Sequence, residues 1–230
     1  MPKLAQSSGL PTHVWLASKS PRRRELLQTL GVEVDIFLAQ TGDAAEALEE
    51  PLPGEHPLNY VQRITELKLN TALQAMRPQG LQGVVLASDT TVALGDTILG
   101  KPTDAEEARR MLKALSGQTH QVHTGVAVTY LQPAGHNNPT GPATSNWVTV
   151  QSSLVTVSEL PDAFITAYIA SGEPFDKAGG YGIQGVFGQY VSHISGSHSG
   201  IMGLPLFETS QLLRALQTAE TQRQSNSKLP

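Results

Sequence analysis

Residues Val14–Leu38 read VWLASKSPRRRELLQTLGVEVDIFL. A short apolar run, Val14–Ala17, leads through a Ser-Pro turn into a stretch where Leu26, Leu27 and Leu30 recur at helical spacing. Gly31 ends that helix before a second strand-like run, Val32–Leu38. Strand, helix and strand in quick succession point to an α/β sheet. Ser20 suits the N-cap and Pro21 the first helical position. The next three residues do not fit that picture. A helix N-terminus already carries partial positive charge from its unpaired N–H groups, so acidic neighbours are favoured there, yet Arg22, Arg23 and Arg24 stand in the first turn. An anion faced by both the helix end and the guanidiniums resolves the conflict, and phosphate is the obvious one. Adjacent helical residues point about 100° apart, so one of the three arginines is expected to be ordinary surface.

The alternation continues outward. The spacing predicts a long helix over Pro57–Met76 and a strand covered on both faces at Val84–Ala87. Thr91–Leu94 and Thr97–Leu99 flank Gly95-Asp96, a two-residue hairpin signal. Thr103 with Glu106 predicts a capping box for a helix carrying Ala108, Met111, Leu112 and Leu115 and stopped by Gly117. Strands at Gln121–Tyr130 and Trp147–Thr156 precede a helix at Pro161–Ser171, a glycine-rich segment at Gly179–Gly188 and a last helix from Pro205 to Thr218. The fold class is therefore α/β, a mixed twisted sheet flanked by helices. Residues 1–12 read as a flexible N-terminus, 13–217 as a single domain with a Gly/Pro/Asn-rich hairpin insertion at 132–146, and 218–230 as a flexible tail.

Composition narrows the function. The 230 residues carry a net charge of −4, so no global basic field exists to hold nucleic acid, and any attraction for anions is local. The absence of cysteine excludes disulfides, thiolate zinc sites and a cysteine nucleophile. No apolar run is long enough to span a bilayer and the N-terminus lacks a signal-peptide core, which reads as a soluble cytoplasmic protein with no membrane partner.

Four segments carry chemistry. The arginine helix is the first. ASDTT, Ala87–Thr91, follows the apolar VVLA run and places Asp89 at a strand's carboxyl end, where α/β sheets bind ligands; a turn aspartate bonding its own backbone is equally consistent. Lys68 lies on the apolar stripe of its helix, four residues after Ile64 and four before Ala72, so it either snorkels to solvent or is directed at a ligand. Lys101 and Lys177 read as surface charge or as ligand contacts. In EPFDKAGGYGIQG, closely spaced glycines permit close backbone approach, and Gln184 offers a donor and an acceptor to the edge of a base. His120 and His123 project to opposite faces of one strand and make a poor metal pair. Neither HExxH nor GxSxG spacing occurs.

In this order, LASKSPRRRELLQTLG, ASDTT, LGKPTDAEEARRMLKALSGQTHQVHTGVAV, DKAGGYGIQG and GLPLFET resemble the Maf family of nucleotide pyrophosphatases, from about Val14 to Leu213. The resemblance implies a mixed α/β body with a cleft between two lobes. It further implies hydrolysis of nucleoside triphosphates at the α-phosphorus to a monophosphate and pyrophosphate, with a divalent cation, Mg²⁺ or Mn²⁺. It places the catalytic and metal-binding aspartate at Asp89, phosphate-handling positions at Ser18, Arg23, Lys68 and Lys101, and substrate-selecting positions at Arg22, Thr90 and Gln184. It also suggests a homodimer. SPRR, DT and GIQG are similar to the branch acting on dTTP, UTP and modified pyrimidine triphosphates. The branch acting on 7-methyl-GTP carries SPWR, DQ and KSEG, none of which occurs here. The alternatives are a purine-type house-cleaning pyrophosphatase acting on 7-methyl-GTP or ITP, and a catalytically weak nucleotide-binding regulator of cell division. The chain departs from the family at AQTGDAAEALEE, where Ala44 and Ala45 replace an acidic pair and Asp43 or Glu46 is the nearest substitute.

Overall fold

The computed structural model of the chain describes residues 8–39, 50–132 and 146–226. The opening strand and helix form as their sequence dictates. In β1 (His13–Leu16) Val14 and Leu16 turn inward and are fully buried. Helix α1 (Pro21–Thr29) is capped by Ser20, whose Oγ accepts the Arg23 N–H at 3.4 Å, with Pro21 at its start. The chain then returns as β2 (Glu33–Ile36), parallel to β1.

Helix α2 (Pro57–Met76) buries Val61, Ile64, Leu69, Ala72, Leu73 and Met76 along one stripe. The next strand corrects the sequence reading. In place of a strand ending at Ala87, β3 runs unbroken from Gly83 to Leu94, and Asp89 sits in its middle. Thr90, Thr91 and Val92 are β-branched and favour extended backbone. The ladder to β5 (Thr119–Leu131) continues past Asp89 without interruption, from Gly83 opposite Leu131 to Ala93 opposite Gln121. What stops near Asp89 is the parallel neighbour: β1 pairs with β3 only through Trp15 and Leu16, opposite Val85 and Leu86. The strand continues into the expected hairpin with β4 (Thr97–Leu99).

Helix α3 (Ala105–Leu115) is capped one residue later than Thr103 and Glu106 suggest. Asp104 Oδ1 accepts the Glu107 N–H at 2.7 Å, and Glu107 reaches back to the Thr103 N–H and hydroxyl at 2.8 and 2.7 Å. An ionised cap next to the helix dipole outcompetes the neutral hydroxyl. Strand β6 (Trp147–Val157), helix α4 (Asp162–Ala170), three short 3₁₀ turns between Glu173 and Tyr190, strand β7 (Val191–Ser195), the short helix α5 (His198–Ile201) and helix α6 (Leu206–Asn226) complete the chain. Helix α6 runs on past Thr218.

The seven described strands form one mixed sheet in the order β2-β1-β3-β5-β6-β7, with β4 beside β3. One half is three-layered. Leucines of α1 and α6 pack with Val14, Leu86 and Val128 on one face, and α2 packs with Val85, Ala87 and Ala127 on the other. A second apolar core gathers Leu112 and Leu115 of α3 and Ile165 and Tyr168 of α4 with Val92, Val122, Tyr181 and Phe187. Strands β3 and β5 pass through both.

Candidate active site

A cavity of about 740 Å³ opens between the two cores. Ser18, Arg22, Arg23, Lys68, Asp89, Thr90, Lys101 and Gln184 all line it. Arg24 does not, and its side chain faces solvent, so it is the ordinary surface residue of the three.

Asp89 and Thr90 are consecutive in β3 and therefore point to opposite faces of the sheet. Asp89 turns toward α2, where Lys68 Nζ donates to its Oδ1 at 2.6 Å. The lysine reaches it because α2 lies close to the sheet. The residue directly across the ladder from Asp89 is Gly125, and a Cβ there would collide with Thr65 Oγ1, besides lying 3.1 Å from Thr65 Cβ and 3.2 Å from the Val61 carbonyl. Lys68 follows Thr65 by three residues, on the same side of the helix. Gly125 thus sets the distance between helix and strand at the point where the pair forms.

Thr90 turns the other way, toward α1. Arg23 binds three groups from three parts of the chain: Nε donates to the Gly203 carbonyl at 2.8 Å, Nη1 to Ser18 Oγ at 3.2 Å and Nη2 to Thr90 Oγ1 at 3.1 Å. A guanidinium has five N–H donors, so one on each terminal nitrogen remains for a ligand. Burial lowers the Arg23 pKa from its ordinary value and the Asp89 charge opposes that shift; the group stays cationic. Thr90 Oγ1 also meets Thr124 Oγ1 at 3.1 Å, and Thr124 donates to the Gly200 carbonyl at 2.8 Å.

Lys101 follows β4 and Gln184 lies in the glycine-rich segment; both are exposed at the cavity. Asp176 and Lys177 join them from the same segment. Burial alone would raise the Asp176 pKa, but the hydrogen bond from Lys177 at 2.6 Å and the nearby Lys177 and Arg22 charges outweigh it and hold the carboxyl below its ordinary range. Among the described residues, the lining cations Lys19, Arg22, Arg23, Lys68, Lys101 and Lys177 face two carboxylates, Asp89 and Asp176. A net-negative chain has built a cationic hollow.

Residues 13–216 match the family model described as Maf-like protein. The chain belongs to the Maf family. It is 50% identical over 203 residues, 88% of this chain and 96% of the relative, to a protein of Albidiferax ferrireducens named dTTP/UTP pyrophosphatase. A protein of Ralstonia nicotianae with the same name is 50% identical over 202 residues, 87% of this chain and 92% of its own. One of Dechloromonas aromatica, also so named, is 44% identical over 206 residues, 88% of this chain and 96% of its own.

The donor set of this Maf-family chain fits a hard divalent cation in one mode. Among the described residues no group of three or more His, Asp or Glu could hold a metal ion, so a cage made only of protein is absent there. Mg²⁺ commonly binds through one or two carboxylates and completes its shell with water and substrate phosphates. Asp89, in a cavity lined by cations, suits that mode. Asp43, Ala44, Ala45 and Glu46 lie outside the described residues, as does most of the 132–146 insertion. No described helix is long and apolar enough to cross a membrane.

Sequence reading passed over Asp176, Tyr181, Met202 and Gly203, which also line the cavity. Asp176 and Tyr181 stand inside EPFDKAGGYGIQG, quoted for its glycines. Gly203 opens GLPLFET and contributes a backbone carbonyl, which no residue type advertises.

Proposed function

We propose that the chain hydrolyses dTTP and UTP to the monophosphate and pyrophosphate, with a cytoplasmic setting that suits a cysteine-free chain. One observation carries this reading: eight residues from five separate segments, among them a paired carboxylate and ammonium, line one cationic cavity. A triphosphate brings about four negative charges, which the lining cations offset. In the reaction a water oxygen bonds to the α-phosphorus, the bond from that phosphorus to the bridging oxygen breaks, and pyrophosphate leaves with the electron pair. Asp89 orients that water and accepts its proton. Lys68 fixes the carboxylate on one oxygen. Arg22, the free N–H groups of Arg23, Lys101 and the Ser18 hydroxyl hold the phosphates in place, with Thr90 beside Arg23. Gln184 faces the base with a donor and an acceptor, the pattern that the edge of uracil or thymine complements. Asp89, together with phosphate oxygens, would hold Mg²⁺ or Mn²⁺, which supplies charge neutralisation at the phosphates.

The test is pyrophosphate release from dTTP, UTP, CTP, GTP, ITP and 7-methyl-GTP with Mg²⁺ or Mn²⁺, beside Asp89→Ala. Release from dTTP and UTP that vanishes in the variant is expected. Release from 7-methyl-GTP or ITP alone overturns the substrate assignment, and triphosphate binding with no release overturns the enzyme assignment.

A further inference from the structure

The turn that carries Gln184 is packed at both ends against side chains of the preceding segment. Gly185 N–H donates to the Gly182 carbonyl at 3.1 Å, so Ile183 and Gln184 form the corner of a tight turn. Tyr168, in the last turn of α4 and almost fully buried, donates its hydroxyl proton to Glu173 Oε1 at 3.2 Å. The same Glu173 oxygen lies against Gly185, where any Cβ would collide with it. At Gly182 an added Cβ would lie 2.9 Å from Lys177 Cε and 3.1 Å from its Cδ. Lys177 Nζ is in turn tied to the Glu173 carbonyl at 2.6 Å and to Asp176 Oδ1 at 2.6 Å.

The clamp rests on a rigid base. The Tyr168 ring stacks on Phe164 at 5.5 Å and packs on Phe187 at 5.7 Å, inside the second core. Burial, with Glu173 beside it, pushes the phenol pKa well up, so the hydroxyl keeps its proton and remains a donor. Neither Tyr168 nor Glu173 lines the cavity, whereas Gly182, Ile183 and Gln184 do.

We infer that Tyr168 and Glu173 are positioning residues for base selection: together they fix the Gly182–Gly185 turn and with it the Gln184 amide. The inference rests on the proposed function, in which Gln184 meets the base. An exposed amide on a free glycine loop would spend its binding energy on becoming ordered, and a clamped one does not. A site built to hydrogen-bond one base edge also rejects a mismatched edge, provided its polar groups cannot shift to accommodate it.

The experiment compares Tyr168→Phe and Glu173→Gln with Gln184→Ala and wild type, reading KM and kcat for dTTP, UTP, CTP and GTP, with thermal unfolding alongside. Loss of a hydrogen bond to a charged group corresponds to about tenfold or more in binding. Both clamp variants are expected to raise KM for dTTP and UTP by roughly that factor and to lower the preference over CTP and GTP in parallel. Adding Gln184→Ala to either is expected to produce little further loss of preference, since the two changes act on one contact. An unchanged preference overturns the inference, and so does an equal loss on every nucleotide that tracks a lower melting temperature. If wild type itself releases no pyrophosphate from dTTP or UTP, the functional reading fails instead; wild-type release with clamp variants of normal preference condemns the clamp alone. Tyr168→Phe keeps the buried ring, so the comparison survives if Glu173→Gln fails to fold.

Discussion

Gly125→Ala tests whether the closeness of α2 to the sheet makes the Lys68–Asp89 pair, to which the proposed function assigns the chemistry. Ordinary contacts of a Cβ begin at 3.4 Å, while the added methyl would lie 3.2 Å from the Val61 carbonyl, 3.1 Å from Thr65 Cβ and much closer still to Thr65 Oγ1. The Thr65 hydroxyl is itself bound to the Val61 carbonyl at 2.6 Å, so turning it away breaks that bond. The helix must therefore withdraw by on the order of 1 Å, a strain typical of overpacked cores at about 1–3 kcal/mol. A withdrawal of that size takes Lys68 Nζ, now 2.6 Å from Asp89 Oδ1, out of hydrogen-bond range. Misplacement of a catalytic group by about 1 Å costs roughly a hundredfold in rate. Steady-state pyrophosphate release should show kcat reduced by about that factor with KM little altered, since Arg23, the proposed phosphate contact, bonds Thr90 on the opposite face of the sheet. Thr65→Ala in the same chain removes the worst clash and should restore most of kcat. Gly125→Ala with kcat within about twofold of wild type, its fold intact, would refute the reasoning, because the helix would then have tolerated the methyl without moving the pair.

Asp89→Asn keeps the shape and loses the proposed base; turnover is expected to fall by roughly 10²–10⁴-fold with the fold retained, measured by pyrophosphate release and circular dichroism. Arg23→Lys replaces three directed bonds by one flexible ammonium; triphosphate affinity by calorimetry should drop about tenfold or more, and an unchanged affinity would remove Arg23 from the phosphate contacts. Burial holds the His120 pKa at about 4, below its usual 6.5, as the ring shares a 2.6 Å hydrogen bond with Tyr181 in the second core. A depressed pKa stabilises the fold above the unfolded value and loses that contribution as pH falls through the folded one. Melting temperature should thus decline from about pH 6.5 toward 4, with up to about 3 kcal/mol at stake from the shift between 6.5 and about 4, and His120→Gln should flatten the decline.

The sequence carried much of this fold because its elements have local causes. Ser20-Pro21 starts a helix wherever it stands, and the stripe of Val61, Ile64, Ala72 and Met76 forces one face of α2 inward. Lys68 on that stripe read either as snorkelling to solvent or as directed at a ligand, and the structure pairs it with Asp89. The length of β3 was less legible. A chain that reads VVLASDTT looks like a strand ending in a turn, and the ladder to β5, more than thirty residues away in sequence, joins the β-branched residues after Asp89 in keeping it extended. The cap at Asp104 competed with a plausible neighbour one residue earlier. Tyr168 and Glu173 carried no motif at all: one reads as a helix core aromatic and the other as surface acid, and only tertiary packing sets Glu173, bonded to Tyr168, against two glycines.

Strands β3 and β5 belong to both cores at once, each lying with one half between the two apolar layers of the three-layered part and with the other half in the second core. Among the described residues there is consequently no linker at which the protein could be cut into two foldable pieces, and no hinge between the two cores. Any closing motion must bend a continuous hydrogen-bonded ladder, so it is expected to be small and elastic, more a flexing of the floor than a movement of doors. Denaturation follows the same rule: melting either core takes away the backbone on which the other is built, and the two should be lost in a single cooperative transition.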